Sequence, residues 1–169
     1  PRTQINKIIK SLRNPYDVIF SIQYLTAARI SEVLPLKRDD FKIRKINNRD
    51  ILTVNMRILK RHSRAVYKEV PMNLDDELVT IIMSYLTRFQ ERDTLFINRN
   101  NKSISKNLAW DVLTKNYPLI RTHTFRHSRI TELFKNYKWS EKEIQQLVGW
   151  TSLAPASRYI HLKWEDTAK

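Results

Sequence analysis

Apolar residues run almost without interruption through positions 16–28 (YDVIFSIQYLTAA), leaving no polar face for water. Such a segment predicts a buried helix. The next stretch, RISEVLPLKRDDF, predicts a short helix that Pro35 stops. Over residues 50–58 the pattern changes to alternation, with Leu52, Val54, Met56 and Ile58 on one face. That period of two predicts a half-buried strand. KRHSR, residues 60–64, reads as a turn into a second strand over 65–70. A helix is predicted over 75–89, where Asp75, Asp76 and Glu77 lie at the end whose dipole favours acids. Another fits 104–115 after Ser103, and another 124–137. Ser140-Glu141-Lys142-Glu143 is a capping box that opens a helix through Val148, and Gly149 is its left-handed cap. The chain therefore predicts a mainly helical α+β fold with a small antiparallel sheet. No internal repeat or linker divides it, so one domain is expected over residues 1–169.

Composition narrows the function classes. Lysine and arginine total 31 against 17 acids, a net charge of +14. A surplus of that size calls for an anionic partner, and nucleic acid is the first reading. No apolar run approaches the roughly 18 residues of a membrane span, and no signal peptide is visible. With no cysteine, disulfides and thiolate metal sites are excluded, and the four histidines show no metal-ligand spacing. Gly149 is the only glycine, so a glycine-rich phosphate loop of the P-loop type is excluded as well. No cofactor and no metal is expected.

Charge in apolar places marks the candidate chemistry. On a helix over 124–137, Ile130, Leu133, Phe134 and Tyr137 form one stripe, Arg126 projects into its middle and His123 lies on its extension. A cation turned toward a core costs several kcal/mol unless it meets an anion. That anion is either a structural carboxylate or a bound phosphate, which the helix N-terminus would favour. His123 read alone is a capping or core histidine. Arg29 ends the buried segment 16–28, with Glu32 three residues on as a local partner. Between residues 57 and 68 lie Arg57, Lys60, Arg61, Arg64 and Lys68 and no acid, which reads as a solvated loop or a set of phosphate contacts. Trp150 and Tyr159, read singly, are packing residues.

Order and spacing say more than any of these alone. TAARISEVLPLKRDDF resembles the first box of the tyrosine recombinase (phage integrase) family, Thr-Gly-x-Arg-x-Ser-Glu, with Arg29 as its arginine and Glu32 as the supporting acid. THTFRHSRITELF resembles the second box, His-x-x-Arg-His, through His123 and Arg126. VGWTSLAPASRYIHL resembles the terminal box, with Trp150 and Tyr159 at the nine-residue separation of the family's Gly-His/Trp and nucleophile. The style of the last box is closest to archaeal and archaeal-virus members. Val70-Pro71 matches the step that follows the family's lysine-bearing hairpin, which points to Lys60, with Lys68 as the competing position. The likeness covers about residues 10–165. It departs at Ala27, where the family has glycine, so the turn into Arg29 is expected to be helical or tighter. The hairpin is also longer than usual, and the family's N-terminal DNA-clamping domain is expected to lie outside this chain. With Pro1 rather than Met at its start, the chain is expected to be the catalytic domain of a longer protein.

The resemblance implies DNA strand cleavage and rejoining through a 3′-phosphotyrosyl link. Arg29 and Arg126 would hold the phosphate, Tyr159 would attack, His123 would act as base, Lys60 as acid, and Trp150 would donate its indole N–H. Arg57, Arg61, Arg64 and Lys68 would contact DNA. The expected partner is double-stranded DNA, with a tetramer in the active synapse; the expected setting is the cytoplasm, of a host cell if the origin is viral. Integration and excision of a viral or plasmid genome is the leading reading. Type IB topoisomerase-like relaxation, chromosome-dimer resolution and a non-catalytic DNA-binding domain are its rivals. Residues 151–160, rich in small side chains, are expected to be poorly ordered or displaced without DNA, with Tyr159 away from Arg29 and Arg126.

Overall fold

The computed structural model describes residues 2–58, 66–150, 152–157 and 159. Among the described residues, seven helices accompany a three-stranded sheet: α1 (Arg2–Ser11), α2 (Tyr16–Thr26), α3 (Ile30–Val33), β1 (Phe41–Ile46), β2 (Arg49–Ile58), β3 (Val66–Asn73), α4 (Glu77–Leu86), α5 (Lys106–Asn116), α6 (Thr122–Lys135) and α7 (Glu141–Val148). The apolar stretch of residues 16–28 becomes α2, buried along its length except at Asp17 and packed against α1, α4 and α6. It ends at Ala27, which adopts the left-handed conformation (φ 51°, ψ 29°) and returns its N–H to the backbone oxygens of Gln23 and Tyr24. Alanine thus makes the glycine-type helix stop, and the turn into Arg29 is neither helical nor tightened.

The sheet is antiparallel in the order β1-β2-β3, with Val54 paired to Phe41 on one side and Val70 on the other. Leu52, Val54, Met56 and Ile58 all face the core, as their alternation predicts. Strand β3 carries Pro71 opposite Thr53, a place open to proline because β3 is an edge. The segment RISEVLPLKRDDF opens, as expected, with a short helix that ends before Pro35. Helix α3 is a single turn, a 3-10 turn follows at Arg38–Asp40, and Phe41 already starts β1. The β1–β2 hairpin turns on Asn47 and Asn48, both at positive φ (50° and 61°). Asparagine tolerates that region, and the two-residue turn it makes matches the twist of the strands.

Side-chain capping sets the later boundaries. Asp76 accepts from the N–H of Leu78, so α4 starts after it. Ser105 rather than Ser103 caps α5. Ser140 and Glu143 close the expected box on α7, and Gly149 (φ 69°) is its left-handed stop. Helix α6 ends at Lys135, which takes Tyr137 off the apolar stripe; that ring is exposed and lies under the Arg129 guanidinium.

Among the described residues, two apolar clusters form the interior. The larger joins α1–α5, the sheet and Phe125. The smaller contains Ala27, Ile130, Leu133, Phe134, Ile144, Val148, Ala156 and Tyr159, with Trp139, Leu147 and Trp150 packed against it. A polar knot ties α1, α2 and α6 together. Buried Glu132 accepts from Tyr24 Oη (2.8 Å), Arg129 Nη1 (2.5 Å) and Arg2 Nη1 (3.4 Å), and Arg2 also pairs with Asp76. Among the described residues, no helix is long and apolar enough to cross a membrane.

Candidate active site

The carboxyl ends of α2 and α7 meet at the amino-terminal part of α6, and the candidate residues collect there. Arg29, two residues beyond the left-handed turn, is the N-cap of α3. Its backbone N–H and its Nη1 both reach Glu32, at 2.7 and 3.1 Å, and the Glu32 side chain is only 1% exposed. The local Arg–Glu pair therefore exists, and its acid is buried within the site.

Arg126 is 6% exposed. Its Nη1 donates to the backbone oxygen of Ala27 at 2.7 Å and its Nη2 to that of Val148 at 3.3 Å. Among the described residues, no carboxylate pairs with it; two helix C-termini, each a partial negative charge, take that place. Burial, with Arg29 close by, pulls its guanidinium down to about 10, partly offset by Glu32 and Tyr159. A protonated cation held at such a disadvantage is matched to an incoming anion.

Tyr159 is buried and joins this cluster. Its ring stacks on Phe134 and Trp150, with centroids 5.8 and 6.1 Å apart, and its hydroxyl contacts Nδ1 of His127. The expected displacement is not found with respect to Arg126, which the phenol reaches electrostatically while Phe134 and Trp150 seat its ring. Thr151, Arg158 and Ile160, part of the segment expected to be poorly ordered, lie outside the described residues. His127 closes the second box and joins the site beyond the residues expected from the sequence. Its position next to Arg126 was visible in the sequence; its reach to Tyr159 depends on the fold. His123, one turn earlier on α6, has its pKa lowered, first by burial and then by Arg126, Arg29 and Lys106.

Lys68 departs from its expected place among the solvent-facing DNA contacts. From β3 its ammonium turns inward and donates to the backbone oxygens of Thr26 (3.4 Å) and Leu147. Burial pulls its pKa down to about 8; Arg126 and Arg29 push the same way, and Glu32 opposes them. Arg57 lies on the exposed side of β2, lining a cavity of about 430 Å³ with Glu32, Lys37, Asn55 and Tyr67. Lys60, Arg61 and Arg64 lie outside the described residues. Among the described residues, no group of three or more histidine, aspartate or glutamate side chains is placed to hold a metal ion.

Two arginines, a buried carboxylate, two histidines, a tryptophan and a buried phenol thus meet at one junction, carried by three separated segments. The model of the phage integrase family matches residues 2–165. The chain belongs to that family. The tyrosine recombinase XerD of Staphylococcus saprophyticus is 20% identical over 188 residues, covering 98% of this chain and 59% of that protein. XerD of Staphylococcus aureus strain N315 is 20% identical over 164 residues, covering 89% and 51%. The chain thus spans little more than half the length of these relatives. Among solved structures, the XerH site-specific recombinase bound to its difH substrate aligns with a TM-score of 0.70 at 19% identity, over 99% of this chain and 50% of that one. The XerA recombinase aligns with a TM-score of 0.70 at 20% identity, over 94% and 57%. A lambda integrase dimer bound to a core site gives 0.62 at 15%, over 93% and 45%. These likenesses establish the tyrosine recombinase catalytic fold for this member of the phage integrase family.

Proposed function

We propose that the chain is the catalytic domain of a site-specific DNA recombinase, cutting and rejoining DNA through a 3′-phosphotyrosyl intermediate. The observation that carries this reading is Arg126: a buried guanidinium, electrostatically linked to Arg29 and to the Tyr159 phenol, with backbone carbonyls as its only hydrogen-bond partners among the described residues. In this reading the scissile phosphate sits between Arg29 and Arg126, whose forked donors fit two non-bridging oxygens and stabilise the added charge of the transition state. Tyr159 Oη attacks phosphorus and the 5′-oxygen leaves. A free phenol has a pKa of about 10, so the attack needs help. Arg126, in electrostatic reach of the phenol, stabilises the phenolate as it forms. His123, biased toward its neutral form, is assigned as the base that takes the proton, with His127, whose Nδ1 contacts the phenol, as the nearer alternative.

Lys60 is assigned the protonation of the leaving oxygen, Trp150 an indole N–H at the phosphate, and Arg57, Arg61 and Arg64 the flanking phosphates. The ester keeps the bond energy, so rejoining uses no nucleotide triphosphate and no metal. The partner is double-stranded DNA, with self-association to a tetramer in the synapse. Integration of a viral or plasmid genome in a cytoplasmic setting is the role that best fits the terminal box.

The test is covalent capture. Nicked duplexes with a randomised centre are incubated with the chain, and adducts that survive denaturation are recovered and sequenced. We expect an adduct at Tyr159 on a recurring sequence. Tyr159→Phe should abolish it while keeping DNA affinity within about twofold, since the phenol is not the phosphate's anchor. An adduct of undiminished yield with that variant overturns the assignment.

A further inference from the structure

Lys68 is a cation in an expensive place. It lies within electrostatic reach of Arg29 and Arg126, and among the described residues no carboxylate forms an ion pair with it. Three cations gathered in one junction weaken a fold, so packing alone does not account for it. The contacts of its ammonium are specific. Thr26 is the last residue of α2 and Leu147 lies one residue before the end of α7. Arg126 binds the next carbonyl in each case, Ala27 and Val148. The two cations therefore bridge the same pair of helix ends, one residue apart, from β3 and from α6. The first helix end leads into Arg29. The second leads through Gly149 to Trp150 and the tyrosine segment.

We propose that Lys68 is a positioning residue for strand cleavage, its ammonium clamping the carboxyl end of α2 to that of α7 and so setting Tyr159 against the arginine pocket. The inference rests on the cleavage reading above, and Lys68 acts through its neighbours instead of touching the reacting atoms. The groups facing its amine are the Thr26 and Leu147 carbonyls from α2 and α7, Glu32 from α3, Arg29 at the start of α3 and Arg126 from α6. Its pKa near 8 means that the charged clamp weakens as pH rises above neutrality. A bound phosphate, by neutralising the arginines, would hold the proton on Lys68 and tighten the clamp when DNA is present.

The experiment compares the chain with Lys68→Met, which keeps the stem but not the charge, and Lys68→Arg, which keeps the charge at every accessible pH. Hydrogen exchange of the DNA-free chains at pH 7 is the first arm. In Lys68→Met we expect the amides of Ala27, Ala28, Gly149 and Trp150 to exchange at least tenfold faster together, with α4 unchanged and Lys68→Arg near the wild type. The second arm is adduct formation on a selected duplex with an ordinary or a sulfur-substituted 5′-leaving atom. Lys68→Met should be about a hundredfold slower on both, the scale of a misplaced reacting group. The wild type should lose rate above about pH 8, and Lys68→Arg should not. Rescue of Lys68→Met by the sulfur substrate would make Lys68 the proton donor and overturn the clamp. Exchange that rises at one helix end only, or at neither, overturns it too, as do three superimposable pH profiles. If the wild type forms no Tyr159-dependent adduct, the cleavage reading fails, and the exchange arm still decides whether the clamp exists.

Discussion

At Gly149 the backbone turns left-handed between α7 and Trp150, and a Cβ built there would lie 2.6 Å from Cγ2 of Ile58. Any L-residue in that conformation costs about 1–2 kcal/mol before the clash is counted. Gly149→Ala should therefore lower the unfolding free energy by about 2–3 kcal/mol in urea titration. A loss below about 1 kcal/mol would mean that Ile58 yields freely. Ala27 makes the same turn without glycine's freedom. Its fully buried methyl, worth about 0.8 kcal/mol, and the lower chain entropy of alanine offset much of the strain. That balance lets a family glycine be replaced here. His123 sets a pH dependence whose sign can be worked out. Its folded pKa lies below the ordinary 6.5, so the fold favours the neutral ring. Stability from this residue is intact above 6.5 and is lost as pH falls below that value toward the folded pKa. Cleavage should fall over the same acid range, where the base becomes occupied. A His123→Gln variant should be slower and lack that acid limb; an unchanged limb would assign it to another group.

At the scale of elements, short-range patterns carried well and long-range partners did not. The alternation of β2, the cap of α7 and the apolar run of α2 are local, and each appears where the sequence places it. Helix α1 and strand β1 escaped, β1 because its only fully buried side chain is Phe41, so no inward-facing row stands out. The hairpin signal was the Asn47-Asn48 pair. Of the partners of Glu132 only Arg129 is local; Arg2 and Tyr24 lie 130 and 108 residues away in sequence. The same limit hid the inward turn of Lys68 and the contact of His127 with Tyr159. Arg29, Glu32, His123, Arg126, Trp150 and Tyr159 were legible as a set, because three boxes in order constrain more than any one. Helix α7 has only eight residues, so its cap matters. Ser140 Oγ accepts from the Glu143 N–H at 3.3 Å, and Glu143 returns a carboxylate to the Ser140 N–H at 2.6 Å. Ser140→Ala should cost about 1 kcal/mol by thermal melting. It should also slow adduct formation, as α7 delivers Trp150. A melting change with wild-type cleavage would separate the helix from the chemistry.

For the whole molecule, a net charge of +14 on 169 residues means that the proposed association with DNA would be mainly an exchange of counterions. With roughly six phosphates neutralised, affinity should fall about a thousandfold between 50 and 200 mM salt, measured by fluorescence anisotropy. A flat response would assign the basic surface to another partner. The fold survives at 19–20% identity to the recombinases it overlays, so most side chains can drift around this junction. The set of hydrogen-bond acceptors for Arg126 and Lys68 is one part that cannot drift. It is main chain, and substitution at residues 26, 27, 147 or 148 changes a side chain but deletes no carbonyl. Had a glutamate held either cation, one base change could have orphaned it. Here the acceptors are part of the polymer itself, which shields this part of the junction from mutation while the surface is left free to change.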